Sequence, residues 1–88
     1  MPKTVLVADD NEKNRKLLRD VLQHRGYRTV EAETGEEGIE LARARHPALV
    51  LMDIQLPGIN GIEALRRLVE LQPEIRGLIM TDWSRAAE

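Results

Sequence analysis

The chain has 88 residues, of which 42% are hydrophobic and 32% charged, and its formal net charge is -2. This composition predicts one globular domain over residues 1–88 and excludes a disordered tail. The near-balance of charge gives no long-range attraction to nucleic acid or to an anionic membrane. There is no cysteine, which excludes a disulfide framework and thiolate metal sites. We therefore expect a cytoplasmic protein that binds neither nucleic acid nor a membrane directly.

The first predicted elements are a buried strand and an amphipathic helix. An unbroken apolar run over residues 5–8 is typical of a strand covered on both faces. Asn11 can cap the helix that follows, and Gly26 suits the left-handed residue that closes it. The apolar residues of this helix are expected to face inward: Leu17, Leu18, Val21 and Leu22. Its charged residues are expected to face outward: Lys13, Arg15, Lys16, Arg19 and Asp20.

The next two predicted elements are an edge strand and a short helix. Residues 28–32 alternate in polarity, as does a half-exposed strand near the edge of a sheet. Thr34 and Glu37 form a capping box, in which each side chain accepts a hydrogen bond from the backbone N–H group of the other residue. The helix is expected to stop before Pro47.

A second apolar run, over residues 48–52, predicts a buried strand that leads into Asp53. The Pro57-Gly58 step predicts a turn, and Asn60 can cap the next helix. That helix is expected to end at Pro73 and to turn four apolar residues inward: Ile62, Leu65, Leu68 and Val69. A last strand is predicted over residues 77–80.

The predicted order of elements is β-α-β-α-β-α-β. Short connections between strands and helices are typical of an α/β domain with a parallel sheet, and right-handed crossovers place helices on both faces. A chain that winds one way from the first strand to the second and then reverses has the strand order 2-1-3-4. Ligands of such doubly wound sheets bind beyond the carboxyl ends of the strands, where the winding reverses.

Three carboxylates and a hydroxyl are expected at that edge of the sheet. Asp9 and Asp10 follow the first strand, Asp53 ends the third, and Thr81 follows the fourth. Alone, each has an ordinary interpretation as a turn, cap or strand-end residue, so their joint placement is what favours a site. Three neighbouring carboxylates repel one another, and a bound cation resolves this repulsion. Oxygen ligands with open positions suit Mg²⁺.

These residues stand in stretches that resemble the receiver domains of bacterial two-component response regulators, which have a flavodoxin-like fold. The stretches are VLVADDN, LVLMDIQLPGINGIEAL and LIMT. The resemblance implies that Asp53 is the phosphoacceptor for a histidine kinase, a phosphotransfer protein or a small-molecule donor. It further implies that Mg²⁺ binds Asp10, Asp53 and the backbone carbonyl of Gln55, with Asp9 acting through metal-bound water. Thr81 would be the switch residue, and the domain would be no enzyme beyond self-catalysed phosphorylation and dephosphorylation.

The resemblance also implies a further strand that carries a phosphate-pairing lysine after the fourth strand. The sequence ends at Glu88, neither Lys13 nor Lys16 lies where that lysine is expected, and Asp82 adds a negative charge beside Thr81. An alternative interpretation is therefore a receiver-like assembly or binding module without effective phosphorylation. In that case the fourth strand would be an exposed edge, and we expect a homodimer or a segment-exchanged assembly.

A third interpretation is a Mg²⁺-dependent phosphohydrolase with Asp53 as its nucleophile. It ranks last because position 55, where such an enzyme needs a second acid, is Gln, and because the sequence contains no segment that could form a substrate-covering cap domain.

Overall fold

The structure is a computed structural model that describes residues 3–54 and 56–80, with the side chains of residues 78–80 left out of the description. Within these ranges it contains four strands and three helices in alternation. The strands are β1 (Thr4–Ala8), β2 (Arg28–Ala32), β3 (Leu49–Asp53) and β4 (Arg76–Met80). The helices are α1 (Glu12–His24), α2 (Gly35–Arg45) and α3 (Gly61–Leu71). None of the described helices is long and apolar enough to cross a membrane.

All four strands are parallel, and their order in the sheet is β2-β1-β3-β4, which confirms the predicted fold class and topology. The central strand β1 is buried from Val5 to Ala8, with exposures of 1% or less, as its unbroken apolar sequence predicts. Its neighbour β3 contributes Val50 and Met52 to the same core. The reversal of winding therefore lies between β1 and β3.

The helices cover the two faces of the sheet unequally. Within the described part of the chain, α2 and α3 pack against each other on one face, whereas α1 contacts only β1 and β2. Close packing of α2 is possible because Gly38 faces the sheet: a Cβ atom there would lie 3.7 Å from Ala8 and Met52. Ala42 of α2 and Leu68 of α3 are fully buried in the resulting core.

The predicted helix ends are largely confirmed. Asn11 accepts hydrogen bonds from the backbone N–H groups of Lys13 and Asn14, and Gly26 has a φ of 91° after the end of α1. Asn60 caps α3 through the N–H group of Glu63.

Only one of the two hydrogen bonds predicted for the capping box of α2 is present. Thr34 accepts from the Glu37 N–H group, but the Glu37 carboxylate accepts from the N–H group of Glu33 rather than Thr34.

The predicted inward faces of α1 and α3 are wrong in part. In α1, Leu17 and Val21 are 56% and 52% exposed, whereas Arg15, predicted to face outward, is only 7% exposed. In α3, Ile62 and Val69 are exposed, and the buried residues are Gly61, Ala64 and Leu68. The cause is geometric, because the residues of a helix that lie nearest the sheet are spaced i, i+3 and i+7 along one stripe. In α1 this stripe contains an arginine, and in α3 it contains small residues.

Candidate functional site

The carboxyl edge of the sheet brings together the ends of β1 and β3. These strands are neighbours with Ala8 opposite Met52, so that Asp9 and Asp53 are the next residues along each strand. Because parallel strands end at the same edge, residues more than forty positions apart in the sequence become adjacent.

Asp9, Asp10 and Asp53 form an acidic cluster at this edge. Each offers one carboxylate oxygen, and the three oxygens lie within 4.8 Å of one another. Asp9 and Asp53 are buried, at 1% and 6% exposure, while Asp10 is exposed. The cluster is therefore open to solvent on the side of Asp10 and closed by protein on the side of the two strands.

Asp9 is held by the start of α1. Its Oδ1 accepts a hydrogen bond from the Asn11 N–H group at 2.8 Å, and its Oδ2 accepts one from the Asn14 side chain at 3.3 Å. Its own N–H group donates to the carbonyl of Ala32, at the end of β2, at 3.0 Å. Both oxygens of this carboxylate thus have partners within the chain, which fixes the side chain although it is buried.

Arg15 approaches the same residue from α1. Its Nη1 donates to the backbone carbonyl of Asp9 at 2.7 Å. The rest of the guanidinium pairs with two carboxylates at the end of β2 and just beyond it: Nε lies 3.3 Å from Glu31 of β2, and Nη2 lies 3.2 Å from Glu33, which follows the strand. These contacts explain how an arginine can be buried here, because its charge is paired and its donors are used.

Asp53 is followed by the β3–α3 loop, residues 54–60, of which residue 55 is not described. At the end of the loop, the Gly61 N–H group donates to the carbonyl of Ile54 at 3.2 Å. A Cβ atom at Gly61 would overlap the backbone carbonyl of Asp53. The start of α3 therefore lies directly against the end of β3, and only glycine leaves room for this approach.

The same loop is also held by the start of α2. The Glu36 carboxylate accepts a hydrogen bond from the Ile59 N–H group at 2.8 Å. A Cβ atom at Gly35 would lie 2.7 Å from the Ile59 side chain, so the first turn of α2 and the loop are in close contact. Gly58, with a φ of 80°, makes the turn that brings Ile59 to Glu36.

Two of the predicted site residues lie outside the described part of the chain. They are Gln55, whose carbonyl was expected to bind metal, and Thr81, the expected switch residue. Asp82 also falls outside it. The described part brings together the remaining three, which are the members of the acidic cluster.

Comparison with known proteins identifies a family that the chain matches. Residues 5–88 match the family described as the response regulator receiver domain. The chain belongs to this family. Over 68 residues it is 47% identical to the polar-differentiation response regulator DivK of Brucella ovis, a match that covers 77% of this chain and 55% of DivK. The chain thus spans about half the length of the curated relatives it matches.

Solved structures support the same assignment. The response regulator TrrA of Thermotoga maritima, in complex with Mg²⁺-BeF, superposes with a TM-score of 0.87 at 34% identity, covering 94% of this receiver chain and 72% of TrrA. A response regulator of Burkholderia pseudomallei with a phosphorylated aspartic acid, a calcium ion and citrate gives 0.83 at 34% identity, covering 90% of this chain and 46% of that one. The chain is a receiver domain of two-component signal transduction with the fold known as CheY-like.

Sequence reasoning missed the residues that support the acidic cluster of this receiver domain. Arg15 was assigned to the outer face of α1, and Glu36 was assigned no role in the β3–α3 loop. One sequence signal could have indicated the role of Arg15. Arg15 and Arg19 lie four residues apart on a helix, and Glu31 and Glu33 lie two residues apart at the end of the following strand and just after it. Nothing in the sequence pattern pairs Glu36 with Ile59, because this contact joins the first turn of α2 to the loop that follows β3.

Proposed function

We propose that this chain is a phosphoaccepting receiver domain in which Asp53 takes a phosphoryl group in a Mg²⁺-dependent reaction and thereby switches the conformation of the domain. The observation that carries the proposal is the acidic cluster, whose three carboxylate oxygens lie within 4.8 Å at the carboxyl edge of the sheet. The phosphoryl donor would be a histidine kinase or a phosphotransfer protein. The relatives with a phosphorylated aspartate or with Mg²⁺-BeF support this assignment by similarity.

The donor set suits a small, hard cation. Three carboxylates at this spacing offer the oxygen ligands that Mg²⁺ prefers, and the exposed side of the cluster leaves room for water and a phosphoryl group. We assign direct ligation to Asp10, Asp53 and the carbonyl of Gln55. Asp9 would act through metal-bound water, which is consistent with the two hydrogen bonds that its oxygens already accept from Asn11 and Asn14. The ion would neutralise charge that develops on the phosphoryl oxygens.

The chain's own contribution to the chemistry is the nucleophile and its placement. A carboxylate oxygen of Asp53 would attack phosphorus while the bond from phosphorus to the donor breaks, and the leaving group would keep the electron pair. Such a transfer depends mainly on positioning and electrostatics, so the burial of Asp53 and the pairing of the end of β3 with β4 are the relevant features. The domain would be a phosphoacceptor with at most self-catalysed phosphorylation and dephosphorylation, and not otherwise an enzyme.

The switch would follow from the added charge. An acyl phosphate at Asp53 places new acceptor oxygens at the carboxyl edge of the sheet, and a hydroxyl that hydrogen-bonds them gives the adjacent loop a second arrangement. We assign this role to Thr81, which follows β4 in the sequence, because β4 pairs with β3 so that Met80 lies opposite Asp53.

The proposal is tested by incubating the protein with Mg²⁺ and acetyl phosphate and measuring its intact mass. We expect one phosphoryl adduct in the wild type and none in Asp53→Asn or in the presence of EDTA. Asp20→Asn, which changes an exposed carboxylate of α1 away from the cluster, is the matched control and should be phosphorylated normally. A wild type that remains unmodified would favour the assembly module, and an adduct that persists in Asp53→Asn would place the nucleophile elsewhere.

A second proposal concerns the outer edge of β4. Within the described residues β4 pairs with β3 alone, so its other side presents backbone donors and acceptors to a further strand. We propose that the 88-residue polypeptide forms a homodimer or a segment-exchanged assembly through this edge. Light scattering on a size-exclusion column should give twice the 10.0 kDa mass of one chain. A monomer mass at every concentration would contradict this proposal and leave the phosphoacceptor role untouched.

A further inference from the structure

The buried guanidinium of Arg15 lies beside the acidic cluster and has no part in the proposed phosphoryl transfer. A buried arginine is costly unless its charge and donors are matched, and this one is matched on three sides. Two of its partners, Glu31 and Glu33, belong to β2 and the residue that follows it, and the third is the backbone carbonyl of Asp9. The arginine therefore joins three segments of chain: α1, the end of β2 and the end of β1.

We propose that Arg15 is a positioning residue for the acidic cluster, which fixes the Asp9 backbone through a guanidinium that Glu31 and Glu33 hold in place. This inference rests on the proposed Mg²⁺ site. Arg15 is not itself a ligand, because a guanidinium has only donors and the atom it contacts is the backbone carbonyl of Asp9 rather than its carboxylate.

The planar shape of the guanidinium makes this role specific to arginine. Its nitrogens point in different directions within one plane, so Nη1 can contact Asp9 while Nε and Nη2 contact the two glutamates. A lysine at this position has one ammonium group and cannot hold all three partners at once. The hydrogen bonds from Asn11 and Asn14 orient the carboxylate of Asp9, and Arg15 holds the backbone from which that carboxylate extends.

Arg19 provides a matched control on the same helix. It lies one turn after Arg15 and also pairs with Glu31, at 3.0 Å, but among the described residues its ionic partners are Glu31 and Asp20 rather than Asp9. Arg19→Met and Arg15→Met both remove one positive charge and one ion pair with Glu31, and both keep an unbranched apolar stem. Only Arg15→Met removes the contact with the Asp9 backbone.

The first test measures Mg²⁺ affinity by titration calorimetry at a temperature where each variant is folded. We expect Arg15→Met to bind Mg²⁺ about tenfold more weakly than the wild type, as is typical when a partner that orients a metal ligand is removed. Arg19→Met should change the affinity by less than about twofold, since the Arg19 side chain is 36% exposed against 9% for Arg15. Equal losses in both variants, or no loss in Arg15→Met, would overturn the proposal.

The second test does not depend on metal. Amide hydrogen exchange in EDTA should be faster at Asp9 and Asn11 in Arg15→Met than in Arg19→Met, because these N–H groups belong to the segment that Arg15 holds. Unchanged exchange at both would overturn the positioning role. A wild type that binds no Mg²⁺ would instead contradict the proposed function, and the exchange test would still decide what Arg15 does.

If Arg15→Met does not fold, Arg15→Lys replaces it in both tests. The lysine variant keeps the charge and should give an intermediate Mg²⁺ affinity and intermediate exchange at Asn11. Wild-type values of both quantities in Arg15→Lys would show that charge alone suffices and would overturn the proposal.

Discussion

The two loops that present the aspartates are held in different ways. The β1–α1 loop, residues 9–11, is supported from within its own connection and from α1, where Asn11, Asn14 and Arg15 all contact Asp9. The β3–α3 loop is supported from another helix, through the contact of Glu36 with Ile59, and by the tight start of α3 at Gly61. The comparison teaches that the Asp9 side chain, in the short loop, is oriented by residues next to it in sequence, whereas the longer loop is held by a helix that only the fold brings near.

The largest effect is expected at Gly61, where α3 begins directly against the end of β3. In Gly61→Ala the new methyl group overlaps the Asp53 carbonyl, so either α3 or the end of β3 must move. We expect a loss of about 1–3 kcal/mol in the free energy of unfolding, the usual cost of overpacking. Urea denaturation measures this loss.

Gly38→Ala is the matched control for this substitution. Its methyl group would make only ordinary contacts, at 3.7 Å from Ala8 and Met52, and alanine is the better helix former. We expect its stability to be unchanged or higher. If Gly61→Ala were as stable as Gly38→Ala, the tight approach of α3 to β3 would not matter to the loop.

The next largest effect compares the helix N-cap residues at which the two loops end, Asn11 and Asn60. Asn11 accepts from two N–H groups, of Lys13 and Asn14, whereas Asn60 accepts from one, of Glu63. Replacing either by alanine should destabilise the protein by about 1 kcal/mol. We expect the larger loss in Asn11→Ala, measured by urea denaturation of both variants side by side. A larger loss in Asn60→Ala would reverse the comparison and show that the longer loop depends more on its own cap.

The smallest effect tests whether the longer loop depends on α2. In Glu36→Ala the Ile59 N–H group loses its acceptor, at a cost of about 0.5 kcal/mol because the contact is exposed. Amide exchange at Ile59 should become faster, while exchange at Asn11 should not change. Glu40→Ala, in the same helix and exposed, is the control and should leave both rates as they are. Faster exchange at Asn11 in Glu36→Ala would mean that the two loops are not supported independently.

The sequence by itself determined the element order, the strand order and the family, and it placed three aspartates at one edge of the sheet. These features depend on local signals: unbroken apolar runs for β1 and β3, caps at Asn11 and Asn60, and the rule that parallel strands end at the same edge.

Only the tertiary structure decided which residues of each helix face the sheet and what supports the aspartates. A helical period defines a stripe but not its rotation against a neighbour, so Leu17 and Arg15 exchanged their predicted places in α1. In α3, close approach to β3 and α2 selected small residues, Gly61 and Ala64, over the larger Ile62. The contacts of Arg15 with Glu31 and of Glu36 with Ile59 span separate elements, and no local pattern encodes which distant partner a side chain will reach.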